Sequence, residues 1–161
     1  MQQLIIRNIQ PEDDAAIAAI IRKGLEDFNA HKPGTVYFDP TTDHLNEMFT
    51  TPGSCYFIAE ENGVILGGSG IYPTENLPEG TCELVKLYLS AASRGKGIGK
   101  VLVQKCFAAA KEMGYTKVYL ETLPELNIAV PMYEKLGFNY LDGPLGNSGH
   151  SACNIWMIKN I

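Results

Sequence analysis

A short segment near the middle of the chain combines glycines with positive charge. Residues 94–99 read RGKGIG, Lys100 follows directly, and the apolar run before them ends at Leu89. Glycines allow the backbone to approach phosphate oxygens closely, and the unpaired N–H groups at the start of a helix favour a negative ligand. The segment therefore predicts a phosphate-binding loop between a strand and a helix.

Two common phosphate-binding motifs do not fit this segment. A Walker A loop requires a serine or threonine after its lysine, whereas Val101 follows Lys100 and the glycine spacing is one residue short. In a dinucleotide-binding fingerprint counted from Gly95, Lys100 stands where the third glycine is required. The pattern that does fit is [Gln/Arg]-x-x-Gly-x-[Gly/Ala], where x is any residue. Its positions are Arg94, Gly97 and Gly99.

The composition of the chain excludes several classes of protein. The chain has 161 residues, of which 45% are hydrophobic, and this suits a single domain over residues 1–161 with a sizeable core. The 13 basic and 18 acidic side chains give a net charge of −5. This argues against a nucleic-acid partner, because nucleic acids bind basic surfaces.

The sequence carries no sign of secretion or membrane insertion. No apolar run approaches the roughly 20 residues of a membrane span, and the first residues lack the basic and apolar regions of a signal peptide. We therefore expect no membrane partner and a cytoplasmic location. The four cysteines include no C-x-x-C pair, so we expect reduced thiols, three of them in the core.

Alternating strand and helix patterns predict an α/β (α+β) domain. Strands are predicted over residues 4–9, 54–61, 64–72, 81–89, 117–123, 138–141 and 152–159. Helices are predicted over residues 11–28, 45–49, 97–113 and 128–136. Asn62 and Gly63 form the tight turn of a hairpin between the second and third strands. A helical crossover must make the fourth and fifth strands parallel, so we expect a mixed, mostly antiparallel central sheet with helices on both faces.

The phosphate-binding pattern follows a strand that ends in Leu-Tyr-Leu, and this combination resembles the acetyl-CoA signature of the GCN5-related N-acetyltransferase (GNAT) family. A second family signature is matched within AVPMYEKLGF. Its positions are Ala129, Tyr133, Gly137 and Phe138. The order of predicted elements is similar to that of the family over essentially the whole chain. The resemblance implies a GNAT-like acyl-CoA acyltransferase fold and acetyl-CoA as co-substrate.

The resemblance also implies which residues hold the co-substrate. In the family, loop N–H groups bind the CoA pyrophosphate, and the pantetheine arm lies where the fourth strand splays from the fifth around a bulge. The residues carried over for the pyrophosphate are Arg94, Gly95, Lys96, Gly97, Ile98 and Gly99, with Lys100 as a weaker candidate. Those carried over for the arm are Leu87, Tyr88 and Leu89. Hydrogen bonds from this strand would also polarise the thioester carbonyl.

The implied reaction needs a base and an acid, because an ammonium must lose a proton and the leaving sulfur must gain one. Tyr133 matches the family's tyrosine and is either the proton donor or an aromatic that packs against its own helix. Glu83 on the fourth strand is the predicted base, and Glu121 on the fifth strand is its rival. A second interpretation of Glu83 is a salt bridge with Lys86.

One position departs from the family pattern. Many members carry an asparagine seven residues before the tyrosine, where this chain has Leu126. Asn127 comes one residue late, and we interpret it as the N-cap of the last helix rather than as a CoA ligand. Pro131 is compatible with that helix only within its first turn.

The histidines do not indicate a metal. His31, His44 and His150 are far apart and show no helical pairing, so we expect no metal site. His150 lies in the loop over residues 141–152, and Tyr37 and Asp39 lie in the loop over residues 29–39. For each of these three residues, an ordinary turn position and a contact to the acceptor are both open interpretations.

The sequence therefore predicts an N-acetyltransferase that acts on a primary amine of a small molecule. Transfer to a peptide or protein amine, and non-catalytic binding of an acyl-CoA by a sensor, are the alternatives. Glu83 and Tyr133 favour chemistry, because a sensor needs only the phosphate loop. The resemblance also raises the expectation of a homodimer.

Overall fold

The computed structural model describes residues 3–161, and over this range it contains one seven-stranded sheet and four helices. The strands are β1 (Leu4–Asn8), β2 (Cys55–Glu61), β3 (Val64–Tyr72), β4 (Thr81–Leu89), β5 (Lys117–Thr122), β6 (Asn139–Leu141) and β7 (Ile155–Asn160). The helices are α1 (Asp14–Asp27), α2 (Leu45–Met48), α3 (Ile98–Glu112) and α4 (Ala129–Lys135). Short 3₁₀ turns occur at Pro11–Asp13, Val36–Phe38, Pro40–Asp43 and Ala91–Ser93.

The sheet is mixed and mostly antiparallel, as predicted. Its strand order is β1-β2-β3-β4-β5-β7-β6. β4 and β5 are parallel because α3 connects them as a crossover, and the other neighbouring strands pair antiparallel.

Alternation along the strands divides the apolar side chains between two faces of the sheet. On β2, Phe57 and Ala59 pack under α3 and α4, whereas Tyr56 and Ile58 pack under α1 and α2. Successive side chains of a strand point to opposite faces, so both faces of the central strands are buried. The helices cover both faces, as predicted. No helix among residues 3–161 has the length and hydropathy needed to cross a membrane.

Two turns form as the residue types predict. Asn62 (φ 52°) and Gly63 (φ 77°) join β2 to β3 in the left-handed conformation that a tight hairpin requires. Gly114 follows the end of α3 with φ 92°, the position and conformation of a C′ glycine.

The start of α4 corrects one interpretation and supports another. The N-cap of α4 is Ile128 and no side chain caps the helix, so the interpretation of Asn127 as the cap is wrong. The backbone N–H of Ala129 donates to the carbonyl of Leu126, which closes a turn directly before the helix without a side chain. Pro131 lies in the first turn of α4, as its missing N–H requires.

The largest boundary difference is at the last strand, which was expected from residue 152 and begins at Ile155. The backbone N–H of Ala152 donates to the carbonyl of Gly34 at 3.1 Å. Residue 152 is therefore held by the loop after α1, and the chain first bonds to β5 at Asn154, whose N–H donates to the carbonyl of Thr122 at 3.2 Å. The remaining boundaries agree within one residue when the 3₁₀ turn at Pro11–Asp13 is counted with α1.

The cysteines differ from the expectation that three lie in the core. Cys82 and Cys106 are buried, whereas Cys55 and Cys153 are half-buried thiols. Cys55 lies at the first position of β2, where the strand is less covered, and Cys153 lines the cleft described below.

β4 and β5 pair over three positions and then separate. The paired positions are Thr81↔Lys117, Cys82↔Val118 and Glu83↔Tyr119. From residue 84 to residue 89, the side of β4 that faces β5 has no strand partner. This separation opens the sheet on the side that leads into the glycine-rich segment.

Candidate active site

A cleft of about 320 Å³ opens where β4 and β5 separate. Residues 83–89 of β4 line one wall and residues 120–123 line the other. α1 and α4 contribute further lining residues. β4 runs along the cleft with Glu83 at one end and Leu89 at the other, and the glycine-rich loop follows Leu89. The predicted phosphate loop and the predicted base therefore stand at opposite ends of one cleft.

The glycine-rich loop presents unpaired backbone donors. Gly95 (φ 76°) and Gly97 (φ 81°) are left-handed, and α3 begins at Ile98 with Gly97 as its N-cap. Within residues 3–161, none of the backbone N–H groups of residues 95–100 donates a hydrogen bond. Consecutive free N–H groups at the positive end of a helix dipole favour a phosphate ligand.

Seven of the nine residues expected to contact the co-substrate line the cleft. They are Leu87, Tyr88, Leu89, Arg94, Gly95, Gly97 and Gly99. Lys96 and Ile98 do not line it, because Lys96 is exposed and the Ile98 side chain is buried in the core under α3. A role for these two residues rests on their backbone N–H groups. Lys100, the weaker candidate, does line the cleft.

The Arg94 side chain binds the protein rather than extending freely into solvent. Its Nε donates to the carbonyl of Leu89 at 3.2 Å, and its guanidinium lies 5.0 Å from the centre of the Phe28 ring. An ion pair at 3.2 Å joins it to Asp27 at the end of α1. Arg94 therefore fixes the loop against α1 while contributing positive charge to the cleft.

A β-bulge at Lys86 interrupts β4 beside the cleft. Gly68 pairs with Tyr88 and Gly70 pairs with Val85. Ser69 alone therefore faces two residues of β4, Lys86 and Leu87. Lys86 itself has φ 53°, a left-handed conformation that non-glycine residues adopt rarely. Bulges bend a strand and re-aim its side chains, which accounts for the divergence of β4 from β5.

Glu83 is a buried carboxyl at the closed end of the cleft. Its exposed fraction is 3%, and the Thr74 hydroxyl donates to its Oε1 at 2.5 Å. Burial, assisted by the charge of Glu121, raises the pKa of Glu83 to about 7 against the opposing effects of Thr74, His150 and Lys86. A carboxyl with this pKa can exchange a proton at neutral pH.

Glu83, Glu121 and His150 converge at this end of the cleft. One oxygen of each carboxylate and one ring nitrogen of His150 lie within 4.8 Å of one another. Glu121 accepts hydrogen bonds from the Tyr119 hydroxyl at 2.5 Å and from the Ser148 hydroxyl. The expectation of no metal considered only the spacing of the histidines in the sequence, which does not show that His150 lies beside two carboxylates. Two carboxylates and an imidazole at this spacing could hold a cation.

Lys86 and Asp39 lie next to this cluster. The Lys86 Nζ is 3.7 Å from Asp39 Oδ2, and the same oxygen is 3.4 Å from the His150 Nε2. The hydrogen bond with His150 is the main cause that holds the pKa of Asp39 well below its usual range. Among the described residues no ion pair joins Glu83 to Lys86, so that interpretation of Glu83 is wrong. Tyr37 points elsewhere and donates to Glu26 at 2.6 Å.

Tyr133 projects from α4 into the cleft. It is 7% exposed, and its ring packs edge-on against Phe138 at a centroid distance of 5.7 Å. Its hydroxyl makes no hydrogen bond within residues 3–161, and burial raises the pKa of Tyr133 above its usual range. Both interpretations of this residue are compatible with its position, because the ring packs in the core and the residue lines the cleft.

Two loops cover the end of the cleft at which Glu83 lies. The backbone N–H of Ala152, in the segment before β7, donates to the carbonyl of Gly34 in the loop after α1. The contact of the His150 Nε2 with Asp39 Oδ2 at 3.4 Å joins the same two loops. A separate ion pair at 2.6 Å joins Lys32 of the loop after α1 to Glu125, which lies between β5 and α4. Such contacts between segments distant in sequence leave no periodic signal, and for the same reason sequence reasoning missed the roles of Thr74, Ser148 and Lys86.

Comparison with known proteins identifies the class of this fold and site. Residues 21–138 match the acetyltransferase (GNAT) family, and the chain belongs to that family. It is therefore an acetyltransferase, as the resemblance implied.

Relatives in sequence carry names of the same kind. The chain is 37% identical to the uncharacterized N-acetyltransferase YjgM of Escherichia coli strain K12, over 99% of this chain and 96% of that protein. It is 31% identical to human N-acetyltransferase 8 over 80% of this chain, and the match spans 57% of the human protein.

Solved structures share the fold. A GNAT acetyltransferase from Staphylococcus aureus Mu50 superposes with a TM-score of 0.85 at 20% identity, over 98% of this chain and 99% of that one. The PaiA N-acetyltransferase of Thermoplasma acidophilum, solved in complex with coenzyme A, has a TM-score of 0.78 at 19% identity, over 99% of both chains. The predicted GNAT-like fold is confirmed.

Proposed function

We propose that this protein transfers the acetyl group of acetyl-CoA to a primary amine of a small molecule. The observation that carries the proposal is the pairing of a buried, proton-exchanging Glu83 with a loop of free N–H groups at the two ends of one cleft. In this proposal residues 1–161 act as one acetyltransferase domain.

The co-substrate would bind along β4. The free N–H groups of residues 95–100 would hold the pyrophosphate, and the unpaired side of β4 at Leu87, Tyr88 and Leu89 would bond the pantetheine arm. An N–H from the same strand would stabilise the oxyanion that forms when the thioester carbonyl is attacked. The wall formed by Leu120 and Leu123 would exclude water from the arm.

The chemistry follows from the groups near the closed end of the cleft. Glu83 removes a proton from the acceptor ammonium, and the amine nitrogen then attacks the thioester carbonyl carbon. The C–S bond breaks, and the Tyr133 hydroxyl donates a proton to the leaving sulfur. The tyrosine regains its proton from the nitrogen as the amide forms. One proton per acetylated ammonium is released to solvent through Glu83.

A small acceptor is favoured over a peptide by the cover above Glu83. The contacts from Ala152 to Gly34 and from His150 to Asp39 hold two loops together at this end of the cleft. A peptide or protein acceptor would need space at this end of the cleft for the chain attached to its reacting amine. The cluster of Glu83, Glu121 and His150 suits the positive charge of an ammonium.

Calorimetric titration with acetyl-CoA, ATP and NAD tests the first part of the proposal. We expect acetyl-CoA to bind at micromolar strength and the two nucleotides not to bind. Release of free thiol is then measured with a panel of small primary amines and with peptides of matched amine content. Thiol release with peptides alone would contradict the small-molecule proposal. Tight acetyl-CoA binding without thiol release for any amine would instead support the sensor.

A further inference from the structure

Lys86 lies where a regular strand would not place it. In a regular strand Glu83 and Lys86 would point to opposite faces, because they are three residues apart and successive side chains alternate. The bulge removes this alternation, since Ser69 on β3 faces both Lys86 and Leu87. As a result Lys86 lies on the side of Glu83: its Nζ is 3.7 Å from Asp39 Oδ2, Asp39 contacts His150, and His150 belongs to the cluster with Glu83.

The backbone of Lys86 is strained in a way that marks functional sites. Its φ of 53° is unfavourable for a side chain with a Cβ atom, and glycine would adopt it without strain. Strained residues persist only where the surrounding structure holds them, and they cluster at active sites and ligand-binding positions. The strain at Lys86 therefore directs attention to what its side chain does.

The Lys86 ammonium is enclosed but incompletely paired. Its side chain is 1% exposed, and within residues 3–161 it makes no hydrogen bond of 3.5 Å or less. Asp39 Oδ2 at 3.7 Å also contacts His150, and Asp39 Oδ1 accepts bonds from Thr41. An ammonium has three N–H donors, and burying them without hydrogen-bond acceptors is unfavourable in free energy. Burial lowers the pKa of Lys86, so a bound anion would stabilise its charged form.

We propose that the acceptor carries a carboxylate beside its amine, as an α-amino acid does, and that Lys86 binds this carboxylate. Glu83 and Glu121 hold the ammonium of the same acceptor. The closed end of the cleft thus presents a positive group and two negative groups to a zwitterion. This inference rests on the proposed function, because it names the acceptor of that reaction.

Matched acceptors test the inference on the unmodified protein. Each set contains an α-amino acid, its primary amide and the corresponding decarboxylated amine, with aliphatic, aromatic and acidic side chains represented. Thiol release from acetyl-CoA gives kcat/KM for each compound. We expect the amino acid to exceed its amide and its decarboxylated amine by about tenfold or more, which corresponds to about 1.4 kcal/mol.

Variants of Lys86 test the role of the side chain itself. Lys86→Met keeps most of the length of the side chain and removes its charge, so the ratio of kcat/KM for the amino acid to kcat/KM for the amide should fall about tenfold or more. Lys86→Arg keeps the charge and should retain most of the preference. Lys111→Met, an exposed lysine in the last turn of α3, is the control and should change neither value.

The outcomes separate this inference from the proposed function. If no amine of any set supports thiol release, the proposed function fails and the inference falls with it. If amines are acetylated but the amide and the decarboxylated amine match the amino acid, the inference alone is overturned. Equal losses for acid and amide in Lys86→Met would also overturn it. The comparison of acceptors needs no variant, so it decides the matter even if Lys86→Met fails to fold.

Discussion

Glu83 on β4 and Glu121 on β5 bring their carboxylates together at the point where the two strands stop pairing. The two groups are held differently. Glu121 accepts hydrogen bonds from the hydroxyls of Tyr119 and Ser148, whereas Glu83 accepts one from Thr74 and is almost fully buried. A carboxylate already bonded through both oxygens is a weaker base. We therefore assign proton removal to Glu83 and positioning of the ammonium to Glu121.

Glu83→Gln is expected to lower kcat by about a hundredfold or more, because a general base contributes on the order of 10²–10⁴ to rate. Glu121→Gln should lower kcat less, since its amide oxygen can still accept from a hydroxyl. Thiol release measures both. The control is Glu112→Gln at the exposed end of α3, which should leave kcat unchanged. A larger loss in Glu121→Gln than in Glu83→Gln would reverse the assignment.

Glu83→Gln is also expected to stabilise the fold at alkaline pH. Burial raises the pKa of Glu83 to about 7, whereas an unfolded glutamate titrates at about 4.3. Between these pH values the folded state binds more protons, so its stability falls as pH rises through this window. At pH 8 the glutamine variant should gain on the order of 2–3 kcal/mol in urea unfolding, and near pH 4.5 almost nothing. An equal gain at both pH values would show that the charge of Glu83 is not the cause.

Gly97→Glu is expected to weaken acetyl-CoA binding by about tenfold or more. The substitution puts a negative side chain at the helix start where the pyrophosphate would bind, and it strains a residue with φ 81°. Gly114→Glu is a matched control, because Gly114 is also left-handed (φ 92°) and also has open space around it, but at the far end of α3. Calorimetry should show a normal dissociation constant for Gly114→Glu. Unchanged binding in Gly97→Glu would remove the loop from the site.

Gly34→Ala is expected to raise the KM for the amine and leave acetyl-CoA binding unchanged. A Cβ at Gly34 would lie 2.6 Å from the Ser151 Oγ and 2.8 Å from the backbone nitrogen of Ala152, so the two covering loops must separate. Gly63→Ala controls for the backbone strain, because Gly63 has φ 77° and no atom within 4 Å of the added Cβ. A KM that rises equally in both variants would show that the cover does not hold the acceptor.

Tyr133→Phe is expected to lower kcat by about ten- to a hundredfold and to change the dissociation constant of acetyl-CoA by less than about twofold. The ring keeps its packing against Phe138, and only a hydroxyl without a partner in the described structure is removed. Tyr140→Phe removes the exposed hydroxyl that donates to Glu134 and serves as the control. Full activity in Tyr133→Phe would assign Tyr133 to packing alone.

Most of the architecture could be predicted from local patterns. The strands β3 and β4 have the predicted bounds, and the turn at Asn62-Gly63 and the C′ position of Gly114 follow from residue type. These features depend on periodicity and on φ preferences, which are properties of neighbouring residues. The buried position of Glu83 was less accessible to such reasoning, because it depends on covering loops.

Residue types and their local spacing are enough to predict the element order, the glycine-rich loop at the start of α3, and the residues that lie along β4. The folded arrangement of the chain sets how Lys86, Asp39 and His150 meet, since they lie on β4 and on two loops remote from each other in the chain. It also decided that Lys86 shares a cleft with Glu83, because the bulge cancels the alternation that sequence spacing implies. Local preferences act between near neighbours, whereas burial, charge pairing and pKa depend on everything that packs around a group.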